Sequence, residues 1–568
     1  MRAAVDELIE IGAVSPCNSN KKGFLSSFFL VPKSSGGNRF VLNLKRLNSY
    51  ITAPHFKLDD YRSVKSLITP GCYMVSLDLK DAYFGIPINK QHRKFLKFQY
   101  NGKMFQFNVL PFGLSVAPYL FTKILKPVTQ YLKVRNILIL NYLDDCLLLG
   151  STKLECINNL KITIELFLEL GFIINYKKST LIPTQQITFL GFIFNSVDMS
   201  LSLTQVKITN TITIIRSILK FQACKIRRFA RIIGSLISIC PAVKYGYLYT
   251  KVLKRKKYLA LKRESGDYNR HLLIDNDIRT ELQWWISAIP QAKTSLQQST
   301  YQMIIYSDAS LSGWGACCDA EKIHGFWSED TKKFNINHLE LLAAYMGLKS
   351  FAKHKRSCSI LLRIDNTTAI SYINKMGGIK YPKLAYLARC IWQWCETRDI
   401  LIFASYIESK SNSVADAESR SLTIDTEYSL NQAAYNQIVE TFGKPQIDLF
   451  ASISNTKCPK YVSWKKDPDS FAIDAFTLNW NNYKFYAFPP FSLVMRVLNK
   501  IILDKAEGIV VVPLWEAQCW YPVFLKLLKF RPILFKPKRD LMLSPFNCSH
   551  PIWSKITLVA GIVSGERT

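Results

Sequence analysis

The sequence predicts a multidomain protein of α/β and α+β units, and three observations carry that reading. At 568 residues the chain is too long for one domain and suits three or four of roughly 150 residues each. Strand-like and helical runs alternate in two separate stretches, 1–200 and 299–424, as packed sheet-and-helix layers require. Between them, 201–298 reads as helical and strongly basic, and from about 430 to 568 an aromatic, Pro-punctuated text keeps a strand–helix rhythm that permits a further small α/β domain.

In the first stretch the strand-like runs are FFLVPK (28–33), RFVLNL (39–44), YMVSLDL (73–79) and ITFLGFIF (187–194). The helical runs are PYLFTKILKPVTQYL (118–132) and INNLKITIELFLELG (157–171). The composition, 48% hydrophobic and 13% aromatic, supports large cores and excludes a disordered chain.

Charge narrows the partners. Lys and Arg number 74 against 42 Asp and Glu, a net +32, which predicts a polyanion and puts nucleic acid ahead of an acidic membrane surface. From Leu201 to Leu272 there are 16 Lys/Arg and two acids, Glu264 and Asp267. A solvated helix face mixes signs, so this segment reads as a phosphate-tracking surface. The 14 cysteines show neither CxxC pairs nor zinc spacing, consistent with reduced thiols in a reducing compartment. MRAAVDELIEIGAV carries acids where a signal peptide needs an apolar core, and no apolar run reaches about 18 residues. The expectation is a soluble intracellular protein with no membrane partner.

Two acid constellations carry the chemistry. In NYLDDCLLLG (141–150), Asp144 and Asp145 sit between apolar, strand-like runs. A hairpin turn accounts for one Asp; two adjacent carboxylates beside buried text call for a positive partner. Asp78, at the end of YMVSLD, could face the same hairpin tip, and three acids could then hold divalent metal by oxygen ligands. A lone Asp at a strand end is also an ordinary turn former, so spacing leaves both readings open. The second constellation is Asp308 (IIYSDAS), Glu340 (NHLELLAAYMGL), Asp365 (LLRIDNT) and Asp416 (SNSVADAESR). Two of these acids end strand-like runs and two lie on helical text, so they could converge on a second metal-dependent hydrolytic site.

LDLKDAYF (77–84), LPFGLSVAPYLF (110–121), YLDD (142–145), GFIINYKKS (171–179) and FLGFIF (189–194) occur in the order and register of the palm motifs of retrotransposon reverse transcriptases. VPKSSGGNRFVLNLKRLN (31–48) resembles the fingers segment that precedes them. The resemblance implies a right-hand polymerase with fingers and palm over 1–200 and a basic thumb/connection over 201–298. It implies that Asp78, Asp144 and Asp145 bind metal and that Lys33 and Arg39 reach a deoxynucleoside triphosphate. Tyr83 would stand under the sugar and exclude a 2′-hydroxyl, Phe112 would also bind substrate, and Lys178, ahead of Lys177, would protonate pyrophosphate. RFARIIGSL (228–236), with Arg227, Arg228 and Arg231, would lie along template–primer phosphates.

YSDAS with GWGA, and NSVADAESR (412–420), resemble the ribonuclease H domain fused to retroelement polymerases, which implies an RNase H-like domain over 299–424 and metal binding by Asp308, Glu340, Asp365 and Asp416. The implied cofactor is Mg2+, two ions per site, or Mn2+ in its place. The implied partners are an RNA template, a DNA primer, the RNA–DNA hybrid and deoxynucleoside triphosphates. Many relatives carry a His shortly before the last acid; here none lies between His354 and His550, and Tyr406 stands near that place, so slower turnover is expected.

QIDLFASISNTKCPKYVSW, YAFPPF and GIVVVPLW resemble the region after ribonuclease H in tyrosine-recombinase (DIRS-like) retrotransposons, which has been likened to adenine-N6 methyltransferases. Phe488 replaces the polar residue expected there and DLFASIS lacks glycines, so 430–568 reads as methyltransferase-like and degenerate. No aspartic-protease D-[ST]-G segment and no recombinase constellation occurs. The resulting expectation is an RNA-directed DNA polymerase with ribonuclease H activity, cytoplasmic or nuclear, in a ribonucleoprotein or virus-like particle. The alternative is a non-catalytic nucleic-acid-binding relic, against which all seven acids stand intact.

Overall fold

The computed structural model of the protein describes residues 2–17, 23–32, 38–297, 300–420, 428–545 and 548–567. It divides into two units, Met1–Gly246 with Gly266–Gln298, and Tyr247–Ser265 with Ser299–Thr568.

In the first unit, helix α1 (Arg2–Glu10) packs on a hairpin of β1 (Phe28–Pro32) and β2 (Asn38–Leu42). Lys33 lies outside the described residues. Strand β3 (Tyr73–Asp78) is followed by helix α2 (Ala117–Val134), strands β4 (Leu138–Tyr142) and β5 (Asp145–Gly150), helix α3 (Lys153–Glu169) and strand β6 (Thr180–Thr184). The four strands make one antiparallel sheet in the order β4-β5-β3-β6. The helices cover one face, burying Phe121, Leu125 and Phe167 with Val75, Leu77, Ile139 and Leu148. Each such side chain contributes about 1.5–3 kcal/mol, which makes this core the rigid base of everything carried at the strand ends.

ITFLGFIF is a hairpin rather than one strand. Leu190 (φ +49°) and Gly191 (φ +73°) are both left-handed and join β7 (Gln186–Phe189) to β8 (Phe192–Asn195), with Phe189 opposite Phe192. Two left-handed residues give the turn whose twist matches antiparallel strands. Strand β9 (Ser200–Leu203) continues that sheet, followed by helices α4 (Gln205–Leu219) and α5 (Ile226–Ile239). Helix α6 (Lys251–Arg263) does not join them. It groups with the second unit, where Arg255 donates to the Ile379 carbonyl at 2.7 Å and Tyr249 bonds Glu396, so the basic region read as one thumb over 201–298 is divided. Helix α7 (Asn276–Ala288) and strand β10 (Lys293–Ser295), paired to β9, close the first unit.

The second unit holds two large sheets and, among the described residues, a two-stranded one pairing Ser429–Leu430 with Met542–Leu543. The first is formed by β11 (Met303–Ala309), β12 (Gly313–Cys318), β13 (Glu321–Phe326), β14 (Ser359–Ile364) and β15 (Leu401–Tyr406), in the order β13-β12-β11-β14-β15. Its first three strands are antiparallel neighbours, and β14 and β15 run parallel to β11. Helices α8 (Ile336–Phe351), α9 (Thr367–Asn374), α10 (Pro382–Glu396) and α11 (Ser413–Arg420) accompany it. Gly315 of β12 is where α11 crosses, and a Cβ there would run into the Ala415 and Ser419 backbone.

The second sheet follows helix α12 (Gln432–Phe442). It comprises β16 (Ile447–Asp448), β17 (Lys460–Ser463), β18 (Ala472–Ile473), β19 (Phe485–Ala487), β20 (Glu507–Pro513), β21 (Ile533–Phe535) and β22 (Leu558–Ser564), with helix α13 (Val494–Asp504) between β19 and β20. The order is β18-β17-β16-β19-β20-β22-β21, with β22 antiparallel to both its neighbours. One apolar cluster includes α13 and the other α12, so helices cover both faces. No helix among the described residues is long and apolar enough to cross a membrane.

Candidate active sites

The first site forms at one end of the β4-β5-β3-β6 sheet. Asp78 is the last residue of β3 and Asp145 the first of β5, and they are direct cross-strand partners. The β4–β5 turn is only Leu143 and Asp144, with Leu143 left-handed at φ +55°. A branched side chain there costs about 1–2 kcal/mol, strain that the flanking buried strands hold in place. Asp144 is thereby carried to the exposed tip, while its carbonyl accepts from Leu79 N–H at 2.9 Å. The chain at 175–179 closes the site from the β6 side. Asn175 N–H bonds the Asp78 carbonyl (2.8 Å), and Ser179 Oγ accepts from Asp78 N–H (3.0 Å), fixing Lys178 beside the acids.

From the other side comes the LPFG loop. Gly113, at φ +102°, lies where a Cβ would be 2.5 Å from the Leu42 carbonyl, so only glycine lets the loop close on β2. Asn48 bonds both the Gly113 carbonyl and Ser115 N–H, each at 2.9 Å. Phe112 is thus held between Arg39, whose guanidinium stands 4.7 Å from its ring centre, and Tyr83, ring to ring at 5.1 Å. Tyr83 also packs edge-on to Phe121 of the core.

The electrostatics tie these residues together. Burial pushes the Asp145 carboxyl up to about 6, with Asp144 and Asp78 adding to the rise and Lys178 opposing it. Asp144 is raised first by loss of water around the hairpin and also by Asp78, and is held down by its own backbone, Arg39 and Lys178. The Tyr83 hydroxyl is raised by burial and by Asp144, with Arg39 opposing. Asp78, Asp144, Asp145, Arg39, Tyr83, Phe112 and Lys178 therefore occupy one neighbourhood.

The second site is tighter. One carboxylate oxygen from each of Asp308 (β11), Glu340 (α8) and Asp365 (after β14) lies within 4.8 Å of the others, the one such trio found among the described residues. Asp308 and Glu340 are each 5% exposed. Burial, then Asp308 and Asp365, push Glu340 up to about 9, and its Oε2 is buried without a hydrogen-bond partner. Asp308 rises to about 6 from burial, moderated by Ser419 Oγ donating at 2.8 Å. Asp365 accepts from Ser409 Oγ at 2.7 Å. Asp416 stands outside the trio. It raises Asp308 but spends its own charge on Arg420, one helical turn on, at 2.6 Å. Ser409 was not singled out from the sequence, and Ser419 entered only as a letter of the 412–420 motif, because a short hydroxyl shows no partner until the fold brings the acid to it. Tyr406 ends β15 and is exposed.

On α5 the six buried positions Ile226, Phe229, Ile232, Ile233, Leu236 and Ile239 form the core face, and Arg227, Arg228 and Arg231 are exposed. Arg228 bonds Ser217 Oγ at 2.9 Å and lies over Phe221. In the C-terminal sheet the strand order reverses between β16 and β19, and a cavity of about 350 Å³ opens beside the turns that follow them, lined by Phe450, Asn455, Trp464, Phe476, Pro490 and Arg496 among others.

Residues 31–194 match the family model described as reverse transcriptase (RNA-dependent DNA polymerase). The chain is 23% identical over 433 residues to the enzymatic polyprotein of figwort mosaic virus (strain DxS), covering 73% of this chain and 61% of that one. It is 25% identical over 470 residues to the putative enzymatic polyprotein of cassava vein mosaic virus, covering 76% and 66%. It thus spans somewhat under two thirds of the length of these relatives. A foamy viral protease-reverse transcriptase solved with RNA/DNA hybrid aligns at 18% identity with a TM-score of 0.45, over 75% of this chain and 57% of that one. The chain therefore carries a reverse transcriptase domain within a sequence similar to caulimovirus-like enzymatic polyproteins.

Proposed function

We propose that this chain copies RNA into DNA at the first site and cleaves the RNA strand of the resulting hybrid at the second. The observation that carries the polymerase reading is the meeting of Asp78, Asp144 and Asp145 with Arg39, Tyr83 and Lys178 at one sheet end. Two ionised carboxylates in cross-strand register, with Cβ atoms about 4.5–5.5 Å apart, repel by about 3–4 kcal/mol at an effective dielectric of about 20. An arrangement that unfavourable suits a cation. In the second site the donor set of three carboxylates within 4.8 Å, with an orphaned buried Glu340 oxygen, fits a hard divalent ion such as Mg2+ or Mn2+. When bound, such ions supply charge neutralisation at the reacting phosphate and a more acidic hydroxyl or water.

The chain's own residues do the rest. Asp78, Asp144 and Asp145 would hold the ions at the first site, and Asp308, Glu340 and Asp365 at the second, with Asp416, paired to Arg420, at its margin. Arg39 presents a planar fork to the incoming triphosphate, joined by Lys33. Tyr83, backed by Phe112 and Phe121, fills the space a ribose 2′-hydroxyl needs. Lys178, beside Asp144 and Asp145, delivers a proton to the departing pyrophosphate. Arg227, Arg228 and Arg231 follow the template–primer backbone without reading sequence.

The C-terminal domain is read as a degenerate methyltransferase-like scaffold of DIRS-like type. Where a glycine-rich turn would open to a cofactor, Asp448 bonds its own turn, accepting from Phe450 N–H (3.3 Å) and Lys457 N–H (3.0 Å). Phe488 packs with Phe491 in the apolar cluster. Mg2+-dependent extension of a DNA primer on an RNA template tests the main reading. Extension by the wild type that disappears in Asp145→Asn supports it, and absence of extension by the wild type refutes it.

A further inference from the structure

The loop between β17 and β18, Trp464 to Ser470, reaches the nuclease-like sheet at several points. Lys466 pairs with Glu321 of β13, Lys349 of α8 meets Asp469 at 2.5 Å, and Lys353 bonds the Ser470 carbonyl. Lys466 and Glu321 are 39% and 55% exposed, so that pair is worth little. The remaining contact is of another kind. Lys465 Nζ lies 3.0 Å from His324 Nε2, and His324 Nδ1 lies 2.7 Å from Glu418 Oε2, with the His324 and Glu418 side chains only 13% and 20% exposed. An ammonium donates only, so Nε2 accepts and Nδ1–H donates to the carboxylate. The result is a directional relay from the C-terminal domain to α11.

Helix α11 is the element this relay grips. Its Ser419 donates to Asp308, and it also carries Asp416 and Arg420. It sits on Gly315 with no room to shift toward the sheet, so a hold on Glu418 sets its position along β12 and β13. The loop itself is stiff: buried Asp467 accepts from Tyr461 Oη (2.5 Å) and Ile453 N–H (3.2 Å).

We propose that Lys465, acting through His324 and Glu418, is a positioning residue that the C-terminal domain supplies to the acid cluster of Asp308, Glu340, Asp365 and Asp416. The C-terminal domain then serves as a clamp on the nuclease-like site. The inference rests on the reading of that cluster as a hybrid-cleaving site, and its test contains a part that does not.

In the full-length chain, amide hydrogen exchange of residues 413–420 is compared, without metal, among wild type, Lys465→Ala, Lys465→Arg, His324→Ala and His324→Gln. Mn2+ affinity and hybrid cleavage are measured alongside. Lys465→Ala and His324→Ala are expected to speed exchange of α11 about tenfold and weaken Mn2+ binding by a similar factor, as loss of a charge-assisted hydrogen bond implies. They should lower kcat for cleavage with KM little changed and leave primer extension unaltered. Lys465→Arg and His324→Gln, which keep a donor and a bridging amide, should restore most of the loss. Unchanged exchange and Mn2+ affinity in both alanine variants overturn the clamp. Wild type that cleaves no hybrid, yet shows the exchange and Mn2+ effects, refutes the nuclease reading and leaves the clamp supported.

Discussion

Asp78 and Asp145 face each other in direct register across the two central strands of the four-stranded sheet. Like charges directly opposed on neighbouring strands destabilise a sheet. The pair therefore marks where stability has been given up for a site. Asp145→Asn should stabilise the metal-free protein near pH 8 by on the order of 1–3 kcal/mol while lowering primer extension about a thousandfold or more. Melting and extension assays on the same preparation check both. A variant that loses stability together with activity would contradict the argument.

Tyr83 is wedged by Phe112 and Phe121, and on the proposed reading its ring bars the 2′-hydroxyl of a ribonucleotide. Tyr83→Val should raise ribonucleotide incorporation relative to deoxyribonucleotide by about 10–200-fold, with extension from deoxynucleotides retained. Competition between the two nucleotide types in single-nucleotide extension measures it.

Glu340 gives a pH signature. In the metal-free fold its carboxyl keeps its proton up to about pH 9, whereas the unfolded chain releases it near 4.3. Between those values the folded state binds the extra proton, so stability is full below about pH 4 and falls as pH rises through the window. Melting with a chelator from pH 5 to 9 should show that fall, Mg2+ should reverse it, and Glu340→Gln should remove the part of the fall above about pH 6, where Asp308 and Asp145 no longer contribute. A flat profile would remove Glu340 from the site.

The α5 arginines make a salt-dependent prediction. Each phosphate contact contributes about 0.9 to the slope of log affinity against log salt, so replacing Arg227 and Arg231 with Ala should reduce the slope for hybrid binding by about two, without altering sequence preference. Arg228, already engaged with Ser217 and Phe221, should contribute less.

The acids were legible in the sequence because each sits within its own short motif, at a strand end (Asp78, Asp145, Asp308, Asp365), in the hairpin turn (Asp144) or in the first turns of a helix (Glu340, Asp416), and local pattern fixes those positions. Asp308, Glu340 and Asp365 converge as their contexts implied. Asp416 does not join them as closely because Arg420, four residues on, competes for its charge, and a helical i,i+4 partner is easy to overlook beside a motif. ITFLGFIF read as one strand because Leu190 takes a left-handed turn position that its chemistry does not advertise. The helix Lys251–Arg263 was read by charge alone, and its place was set by Arg255 and Tyr249 meeting residues more than a hundred positions away. The Lys465–His324–Glu418 relay joins three distant segments, and although Glu418 lies within the 412–420 motif, nothing in the sequence pairs it with His324 or Lys465.

Two separate metal-dependent sites on one chain are told apart by extending a DNA primer on a labelled RNA template and reading extension and template cleavage in the same tube. The comparison is among wild type, Asp144→Asn and Asp308→Asn. Asp144→Asn is expected to lose extension and keep cleavage, and Asp308→Asn to do the reverse. Wild type that neither extends nor cleaves, yet binds the hybrid in a salt-sensitive manner, would contradict both and identify a binding protein without catalysis.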